Sequence, residues 1–233
     1  MSRGAAASAG DIRAAVFDAY GTLFDVASAA SALAPELGDK APALSQLWRQ
    51  KQLEYSWLRT LMGAHADFWR VTADALDYAI EKLALPLGFR PRLLELYFRL
   101  APYPDARALL ELCRSRGLKT AILSNGSPEM LNAAVAGADF TSLLDAVLSI
   151  EEIGMFKPRP EVYRLAVERL GMPADRILFV SANGWDVAGA AHFGFHAVWI
   201  NRARDPVDRL PALPLAIIGS LAELPLAVGL PGA

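Results

Sequence analysis

The chain has 233 residues, of which 54% are hydrophobic and 21% are charged, and its formal net charge is −2. The length fits one domain, or one domain that carries an insert. The nearly balanced charge gives no electrostatic case for nucleic acid or an anionic membrane as a partner. Cys113 is the only cysteine, so an intrachain disulfide is excluded and a reducing, cytoplasmic setting is expected.

The first predicted element is a strand over residues 12–17 that runs directly into Asp18. Its last four residues, 14–17, form an unbroken apolar run, which is typical of a strand that is buried on both faces of a parallel sheet. Asp18 would then lie at the carboxyl end of the strand, where open α/β sheets bind ligands. The preceding residues 1–10 are rich in Ala, Ser and Gly, lack the apolar core of a signal peptide, and are predicted to form a disordered tail.

The pattern of residues 25–100 favours helices over strands. In the whole sequence, no stretch approaches the ~20 apolar residues that span a bilayer. We predict an all-helical cap domain in this range, inserted after the first strand, with a core domain formed by residues 11–24 and 101–233. The predicted cap helices cover approximately residues 44–62, 66–83 and 92–100. Because the insert leaves the core directly after the first strand, it is placed to cover the carboxyl ends of the strands and exclude water there.

After residue 104 the pattern alternates between helix and strand. Alternation of this kind predicts an α/β fold with a doubly wound, Rossmann-like parallel sheet and right-handed crossovers. The further predicted strands cover residues 118–123, 146–150, 177–180, 197–200 and 215–218.

Polar residues follow several of these strands at the point where each one ends. In a parallel sheet those ends meet at one edge, so the residues are expected to form a single site. Ser-Asn-Gly and Ala-Asn-Gly are also ordinary turn sequences, but turn chemistry does not account for Lys157 and Asp186 at the same edge. The set consists of Asp18, Ser124, Asn125, Lys157, Ser181, Asn183 and Asp186.

The order of these motifs resembles the haloacid dehalogenase superfamily, and the resemblance extends over nearly the whole chain. It rests on the segments Asp-Ala-Tyr-Gly-Thr at 18–22, Ser-Asn-Gly at 124–126 and Lys-Pro at 157–158, and on the later Asp186. The resemblance implies that Asp18 is a nucleophile. Most members of this superfamily are magnesium-dependent phosphatases. The subfamily is therefore indicated by the positions at which this sequence differs from the phosphatase pattern.

Two differences from the phosphatase motifs argue against phosphate chemistry. Tyr20 stands where the phosphatases have a second aspartate, and Asn183 stands where they have the first carboxylate of an acidic pair. A hard cation loses oxygen ligands at both positions, and a basic leaving group loses its general acid. A halide is a very weak base and needs no proton. The departures therefore indicate cleavage of a carbon–halogen bond, with no metal and no cofactor predicted.

The cap supplies a second resemblance, because residues 47–59 read LWRQKQLEYSWLR and are similar to the corresponding helix of L-2-haloacid dehalogenases. An amphipathic helix with a charged wet face is the alternative explanation, but packing alone would not fix a run of adjacent residues of mixed polarity. The resemblance implies that Asp18 is the nucleophile, that Lys157 orients it, and that Asp186 and Asn183 position or activate the hydrolytic water, with support from Thr22, Ser181 and Tyr163. It implies that the substrate carboxylate binds to Ser124 and to the backbone amides near Ala19 and Tyr20, and that the leaving halide binds to Arg49 and Asn125. It also implies an apolar wall around the alkyl group, formed by Leu53, Phe68 and Trp185. For the three wall residues, core packing is the alternative.

The resemblance implies hydrolysis of small-molecule L-2-haloalkanoic acids to D-2-hydroxyalkanoic acids, with inversion, through an ester on Asp18. A magnesium-dependent small-molecule phosphatase and a non-catalytic binding protein on the same fold are the alternatives. A homodimer is expected, with Trp57 and Trp69 as exposed aromatics of its interface. We interpret the basic residues Arg202, Arg204 and Arg209 as a solvated surface, and the three histidines, which are His65, His192 and His196, as surface or packing residues.

Overall fold

The protein folds around one parallel sheet, which the computed structural model describes within residues 12–230. The predicted tail, residues 1–10, lies outside the described residues. The six strands are arranged in the order β3-β2-β1-β4-β5-β6, and every adjacent pair is parallel. The strands are β1 (Ala14–Phe17), β2 (Lys119–Ser124), β3 (Ala146–Ser149), β4 (Ile177–Ser181), β5 (His196–Ile200) and β6 (Ala216–Ile218).

The central position of β1 explains its apolar sequence. All four of its residues are buried, and Val16 pairs with Ala121 of β2 on one side and with Phe179 of β4 on the other. The chain winds outward from β1 in both directions, so the topological switch point lies between β1 and β4. The predicted α/β fold with a doubly wound parallel sheet is confirmed, and Asp18 follows the strand beside that switch point.

Helices occupy the connections between the strands and the long segment between β1 and β2. The helices of the described residues are α1 (Ser28–Ala32), α2 (Ala34–Leu37), α3 (Lys40–Met62), α4 (Phe68–Lys82), α5 (Phe89–Phe98), α6 (Ala106–Ser115), α7 (Pro128–Gly137), α8 (Pro160–Leu170), α9 (Gly184–Phe193) and α10 (Leu224–Ala227). The first six lie between β1 and β2, and the first five of these fall within residues 25–100. Within residues 12–230, no helix combines the length and the apolar character that a membrane crossing needs.

The long helix α3 and its partner α4 form the main hairpin of the insert. The buried residues of α3 recur every three or four positions, which gives one face toward the protein, and the helix ends at Gly63 in the left-handed conformation (φ +63°). Asp67 then caps α4 by accepting a hydrogen bond from the amide of Arg70 at 2.7 Å. The short helices α1 and α2 were not predicted, because elements of four or five residues do not show a periodic pattern.

Side chains of the insert contact the carboxyl edge of the sheet at several points. Thr60 Oγ1 accepts a hydrogen bond from the amide of Phe156 at 3.1 Å. His65 Nε2 lies 2.9 Å from a carboxylate oxygen of Glu151, in the segment that follows β3. The insert therefore contacts the segment that follows β3, while its cover of the strand ends and the proposed domain boundaries at residues 25 and 100 stay predictions.

The expectation that Trp57 and Trp69 are exposed aromatics is wrong. Both side chains are partly buried, because each packs on another ring: Trp57 lies 5.3 Å from Trp185 and Trp69 lies 4.3 Å from Phe98, measured between ring centroids. The apolar residues that α3 does expose are Leu61 and Met62, which are 82% and 68% exposed. The amphipathic pattern could not separate these cases, because the partner rings come from distant parts of the chain.

We predict that the thiol of Cys113 is unreactive in the native protein. Cys113 is fully buried in α6, and burial raises the pKa of its thiol to about 12. Since the thiolate is the reacting species, DTNB at pH 8 should label native protein only at the rate of unfolding, and guanidinium-denatured protein should release one equivalent at once. Rapid stoichiometric labelling of the native protein would contradict this placement.

Candidate active site

The candidate site is built around the carboxylate of Asp18, which is only 5% exposed. The backbone amide of Asp18 donates to the carbonyl of Val180 at 2.9 Å, so the sheet fixes the residue to the end of β4 as well as to β1. Its Oδ2 accepts hydrogen bonds from Asn183 at 2.9 Å, Thr22 at 3.2 Å and Ser181 at 3.5 Å. Three donors thus hold one oxygen of the carboxylate in place.

A tight turn brings Thr22 back to Asp18. The carbonyl of Ala19 accepts the amides of Thr22, Leu23 and Phe24 at 3.0–3.2 Å, and Gly21 has a φ of +88°, which a glycine adopts without steric cost. The Thr22 hydroxyl also accepts the amide of Ala182 at 2.8 Å. Since that contact uses a lone pair, the hydroxyl hydrogen remains for Asp18.

Lys157 is a fully buried cation between two carboxylates. Its Nζ lies 3.1 Å from Asp18 Oδ1 and 2.8 Å from Asp186 Oδ2, and 4.9 Å from the ring centroid of Phe179. Burial alone would lower the pKa of the Lys157 ammonium, but the two carboxylates outweigh burial and raise the pKa above its ordinary value. Lys157 is therefore charged throughout the physiological pH range, and its ammonium places a positive charge beside the Asp18 carboxylate.

Asp186 lies behind Lys157, and both of its oxygens are engaged. Oδ2 accepts from Lys157, and Oδ1 accepts from the hydroxyl of Tyr163 at 2.8 Å. Burial raises the pKa of the Asp186 carboxyl, an effect that the neighbouring Lys157 only partly opposes. Burial also raises the pKa of Tyr163 well above its usual range, so the phenol remains a donor. The arrangement yields a carboxylate that is more basic than an ordinary aspartate.

The end of β2 contacts the loop that carries Lys157. Asn125 Oδ1 accepts the backbone amide of Lys157 at 3.0 Å, and Ser124 Oγ accepts the amide of Gly126 at 3.1 Å. Ser124 is the last residue of β2 and Ser181 the last residue of β4, one position beyond the predicted strand ends. The strand-end residues therefore meet at one edge.

Arg49 reaches this edge from α3. Its Nη2 donates to Asn183 Oδ1 at 3.2 Å, and its Nη1 donates to Gln52 Oε1 at 2.7 Å. Asn183 thus contacts Arg49 through its oxygen and Asp18 through its nitrogen. A single side chain connects the cap cation to the candidate nucleophile.

Tyr20 is a buried part of the wall around the site. Its ring lies 5.7 Å from that of Tyr97 and 5.9 Å from that of Phe68. Burial raises the pKa of Tyr20 well above the ordinary value, so the phenol is neutral at pH 7. A Cβ at position 126 would lie 2.6 Å from Tyr20 Cε2, which explains the glycine there. Position 20 therefore carries a neutral aromatic group where an aspartate would carry charge.

The three predicted wall residues differ in their surroundings. Phe68 is fully buried against Tyr20 and against Phe156, whose ring lies 5.9 Å away, so it serves the core as well as the site. Leu53 is half-buried and lies one turn after Arg49, on the same face of α3. Trp185 is half-buried and meets Trp57 edge to face.

Arg202 belongs to this region, and the interpretation of it as a solvated surface residue is wrong. Its guanidinium donates to the carbonyls of Gly21 at 2.9 Å and Thr22 at 3.1 Å, and it lies 3.7 Å from the ring centroid of Tyr103. Arg204 and Arg209 are exposed, as interpreted. The nearby acidic residues favoured a surface interpretation. However, Arg202 follows β5 at the same edge of the sheet as the other site residues, and this position in the sequence could have indicated that it belongs to the site.

The charges of the site nearly balance. Asp18 and Asp186 carry two negative charges, and Lys157 and Arg49 carry two positive ones. Both carboxylates contact Lys157, whereas the hydrogen bonds of Arg49 go to amide oxygens. Among residues 12–230, no three His, Cys, Asp or Glu side chains gather where they could hold a metal ion. The geometry suits a carboxylate nucleophile that attacks a small anionic substrate.

Comparison with known proteins agrees with this geometry. A family model of haloacid dehalogenase-like hydrolases matches residues 12–194. The chain is 48% identical to (S)-2-haloacid dehalogenase 1 of Pseudomonas sp. (strain CBS-3) over 92% of this chain and 95% of that protein. It is 47% identical to (S)-2-haloacid dehalogenase 4A of Burkholderia cepacia, over 91% and 93% of the two chains.

A solved structure gives the same result. The L-2-haloacid dehalogenase of Xanthobacter autotrophicus with chloropropionic acid covalently bound matches at a TM-score of 0.86 and 42% identity, over 95% of this chain and all of that one. The chain therefore belongs to the haloacid dehalogenase-like hydrolase family and, within it, to the (S)-2-haloacid dehalogenases.

The buried ion pairs predict a large loss of stability when Lys157 is replaced. Lys157→Met leaves two carboxylates without their cation, which should lower the free energy of unfolding by about 3–5 kcal/mol at pH 7. A raised pKa of the buried Asp186 carboxyl lowers stability only at pH values above the carboxyl pKa of the unfolded state, ~3.9. The loss of unfolding free energy should therefore become smaller as the pH falls toward ~3.9. Urea unfolding at several pH values measures both effects.

The matched control for this substitution is Lys82→Met on the exposed end of α4, which should change stability by less than ~0.5 kcal/mol. The double variant Lys157→Met with Asp186→Asn should recover part of the loss, since one unpaired charge is removed. Equal losses for the Lys157 and Lys82 variants would show that the buried cation does not hold the two carboxylates.

Proposed function

We propose that this protein hydrolyses L-2-haloalkanoates to D-2-hydroxyalkanoates and halide. The observation that carries the proposal is that Asp18, held by Lys157, is connected through Asn183 to the cap cation Arg49. A nucleophile and a halide acceptor are then separated by one side chain. The covalently bound chloropropionic acid in the Xanthobacter relative supports a covalent route on this fold.

In the first step, Asp18 displaces the halide. A lone pair of the carboxylate attacks the halogen-bearing carbon from the side opposite the halogen, the carbon–oxygen bond forms, and the carbon–halogen bond breaks with its electron pair on the halide. The centre is inverted and an ester remains on Asp18. Oδ2 accepts from three side chains, whereas Oδ1 accepts from Lys157. We assign the attack to Oδ1, which keeps more lone-pair density.

In the second step, a water oxygen bonds to the Asp18 carbonyl carbon, and the bond from that carbon to the ester oxygen breaks with its electron pair on the ester oxygen. The ester oxygen takes up one proton of the water and leaves as the hydroxyl of the product, while the other proton is removed and Asp18 returns as a carboxylate. The substrate carbon is not attacked again, so its configuration is retained from the first step and the product is the D-hydroxyacid. Removal of a proton from the water requires a base. Asp186, whose Oδ2 accepts from the same Lys157 that contacts Asp18, and Asn183, which donates to Asp18 Oδ2, together position or activate the water beside Asp18.

The remaining site residues bind the two ends of the substrate. Ser124 and the backbone amides near Ala19 and Tyr20 hold the substrate carboxylate, at the strand ends where donors converge. Arg49 and Asn125 receive the halide, and arginine suits this role because it stays charged and is weakly hydrated. Thr22, Ser181 and Tyr163 support the charged groups, while Leu53, Phe68 and Trp185 enclose the alkyl group.

We also propose a cytoplasmic homodimer. The single cysteine fits a reducing compartment. The exposed Leu61 and Met62 at the end of α3 give the insert an apolar surface that a second copy could cover.

We expect halide release from L-2-chloropropionate but not from D-2-chloropropionate, with EDTA present throughout. Asp18→Asn should abolish the release, since an amide cannot form the ester. Asp205→Asn is the matched control: it makes the same change at an exposed position, and its activity should match that of the unaltered protein. Chloride is measured colorimetrically and the product by chiral chromatography.

A parallel assay with magnesium in place of EDTA separates the alternatives. Magnesium-dependent release of phosphate from phosphate esters, without any halide release, would make the protein a phosphatase and contradict the proposal. Binding of 2-chloropropionate without turnover would indicate a non-catalytic relative. The neutral Tyr20 at the position of the second phosphatase aspartate favours dehalogenation over phosphate transfer.

A further inference from the structure

A buried polar cluster lies in the cap directly behind Arg49. It consists of Gln52 and Thr72, which are fully buried, and Tyr97, which is 4% exposed. Burying amide and hydroxyl groups is costly unless they are hydrogen-bonded, so such a cluster in an apolar helix hairpin calls for an explanation. Its contact with the site is the hydrogen bond from Arg49 Nη1 to Gln52 Oε1, at 2.7 Å.

Thr72 fixes the direction of the Gln52 amide. The Thr72 hydroxyl lies 2.6 Å from the carbonyl of Phe68, so its hydrogen is used within α4. Toward Gln52 the hydroxyl can then only accept, and Gln52 Nε2 donates to it at 2.6 Å. The amide is therefore turned with its nitrogen toward Thr72 and its oxygen toward Arg49.

Tyr97 closes the cluster from α5. Its hydroxyl lies 3.1 Å from Nε2 and 3.2 Å from Oε1 of Gln52. Its ring is held between Trp48, at 5.1 Å, and Tyr20, at 5.7 Å. Burial raises the pKa of Tyr97, so its hydroxyl is neutral. Three helices thus hold one amide in a single orientation.

The groups that hold Arg49 are uncharged. The guanidinium donates to the amide oxygens of Gln52 and Asn183, and neither amide carries a charge. These contacts fix its direction without cancelling its charge. A carboxylate at position 52 would form a salt bridge with Arg49 and compete with an anion for it.

We infer that Gln52 is a positioning residue for Arg49, and that Thr72 and Tyr97 set the Gln52 amide so that the guanidinium faces the departing halide with its full charge. This inference rests on the proposed dehalogenation and adds a determinant of leaving-group tolerance to it. Chloride departs less readily than bromide, so it depends more on a well-aimed cation. Loss of the Gln52 contact therefore slows release of chloride more than release of bromide.

The test compares Gln52→Glu and Gln52→Met with Gln46→Glu, an exposed position of the same helix. Single-turnover halide release is measured with L-2-chloropropionate and L-2-bromopropionate. We expect the rate with chloride to fall about tenfold or more in both Gln52 variants, the loss expected for one hydrogen bond to a charged group, and the rate with bromide to fall less. Gln46→Glu should leave both rates and their ratio unchanged.

A second pair of variants keeps the test decisive if the Gln52 variants do not fold. Thr72→Val removes the acceptor that orients Gln52, and Thr72→Ser keeps it. Thr72→Val should raise the bromide-to-chloride rate ratio, and Thr72→Ser should restore it, with folding checked by circular dichroism. Equal losses for both halides in folded variants, or no loss, would overturn the inference. Absence of halide release by the unaltered protein would instead overturn the proposed function.

Discussion

The structure depends on one buried ammonium group. Lys157 lies between Asp18 and Asp186 at distances of 3.1 and 2.8 Å, and it is the charged partner of both buried carboxylates. The sheet brings the three residues together, because they follow different parallel strands that end at the same edge. The cost of burying these charges is met only when all three are present. Asp18 consequently has a cation 3.1 Å from its carboxylate in its proposed role as a nucleophile.

The cap adds the second cation and closes the site. Arg49 comes from α3, a helix that the chain forms directly after the strand carrying Asp18, and it meets the core at Asn183. Further contacts of the same helix, from Thr60 to Phe156 and from Trp57 to Trp185, hold the cap against the strand ends. Enclosure of this kind strengthens the electrostatic interactions inside, since water is displaced from between the charges.

The sequence predicted the fold and the position of the main site residues well. Apolar strands that end in polar residues carry a strong local signal, so Asp18, Lys157 and Asp186 could be placed at one edge before any contact was known. The predicted strand ends differ from the observed ones by one or two residues. The helices α1 and α2 were not predicted, because they are too short to show a periodic pattern. Their absence from the prediction did not affect the site.

Contacts across the fold were the part that could not be predicted. Gln52 and Tyr97 lie 45 positions apart, and nothing local to either shows that they share hydrogen bonds behind Arg49. Arg202 looked like part of a solvated charge cluster, although it donates to the carbonyls of the turn after Asp18. The partial burial of Trp57 and Trp69 likewise depends on rings that other segments supply. Each case requires tertiary partners that periodicity does not encode.

The proposed covalent ester on Asp18 can be detected directly by isotope labelling. A single turnover of L-2-chloropropionate is run in ¹⁸O-water with enzyme in excess, and the product and the Asp18 peptide are analysed by mass spectrometry. We expect an unlabelled hydroxyl in the product and ¹⁸O in the Asp18 carboxylate, because water attacks the ester carbonyl. Labelled hydroxyl in that first turnover, with an unlabelled Asp18 peptide, would mean direct attack by water and would contradict it.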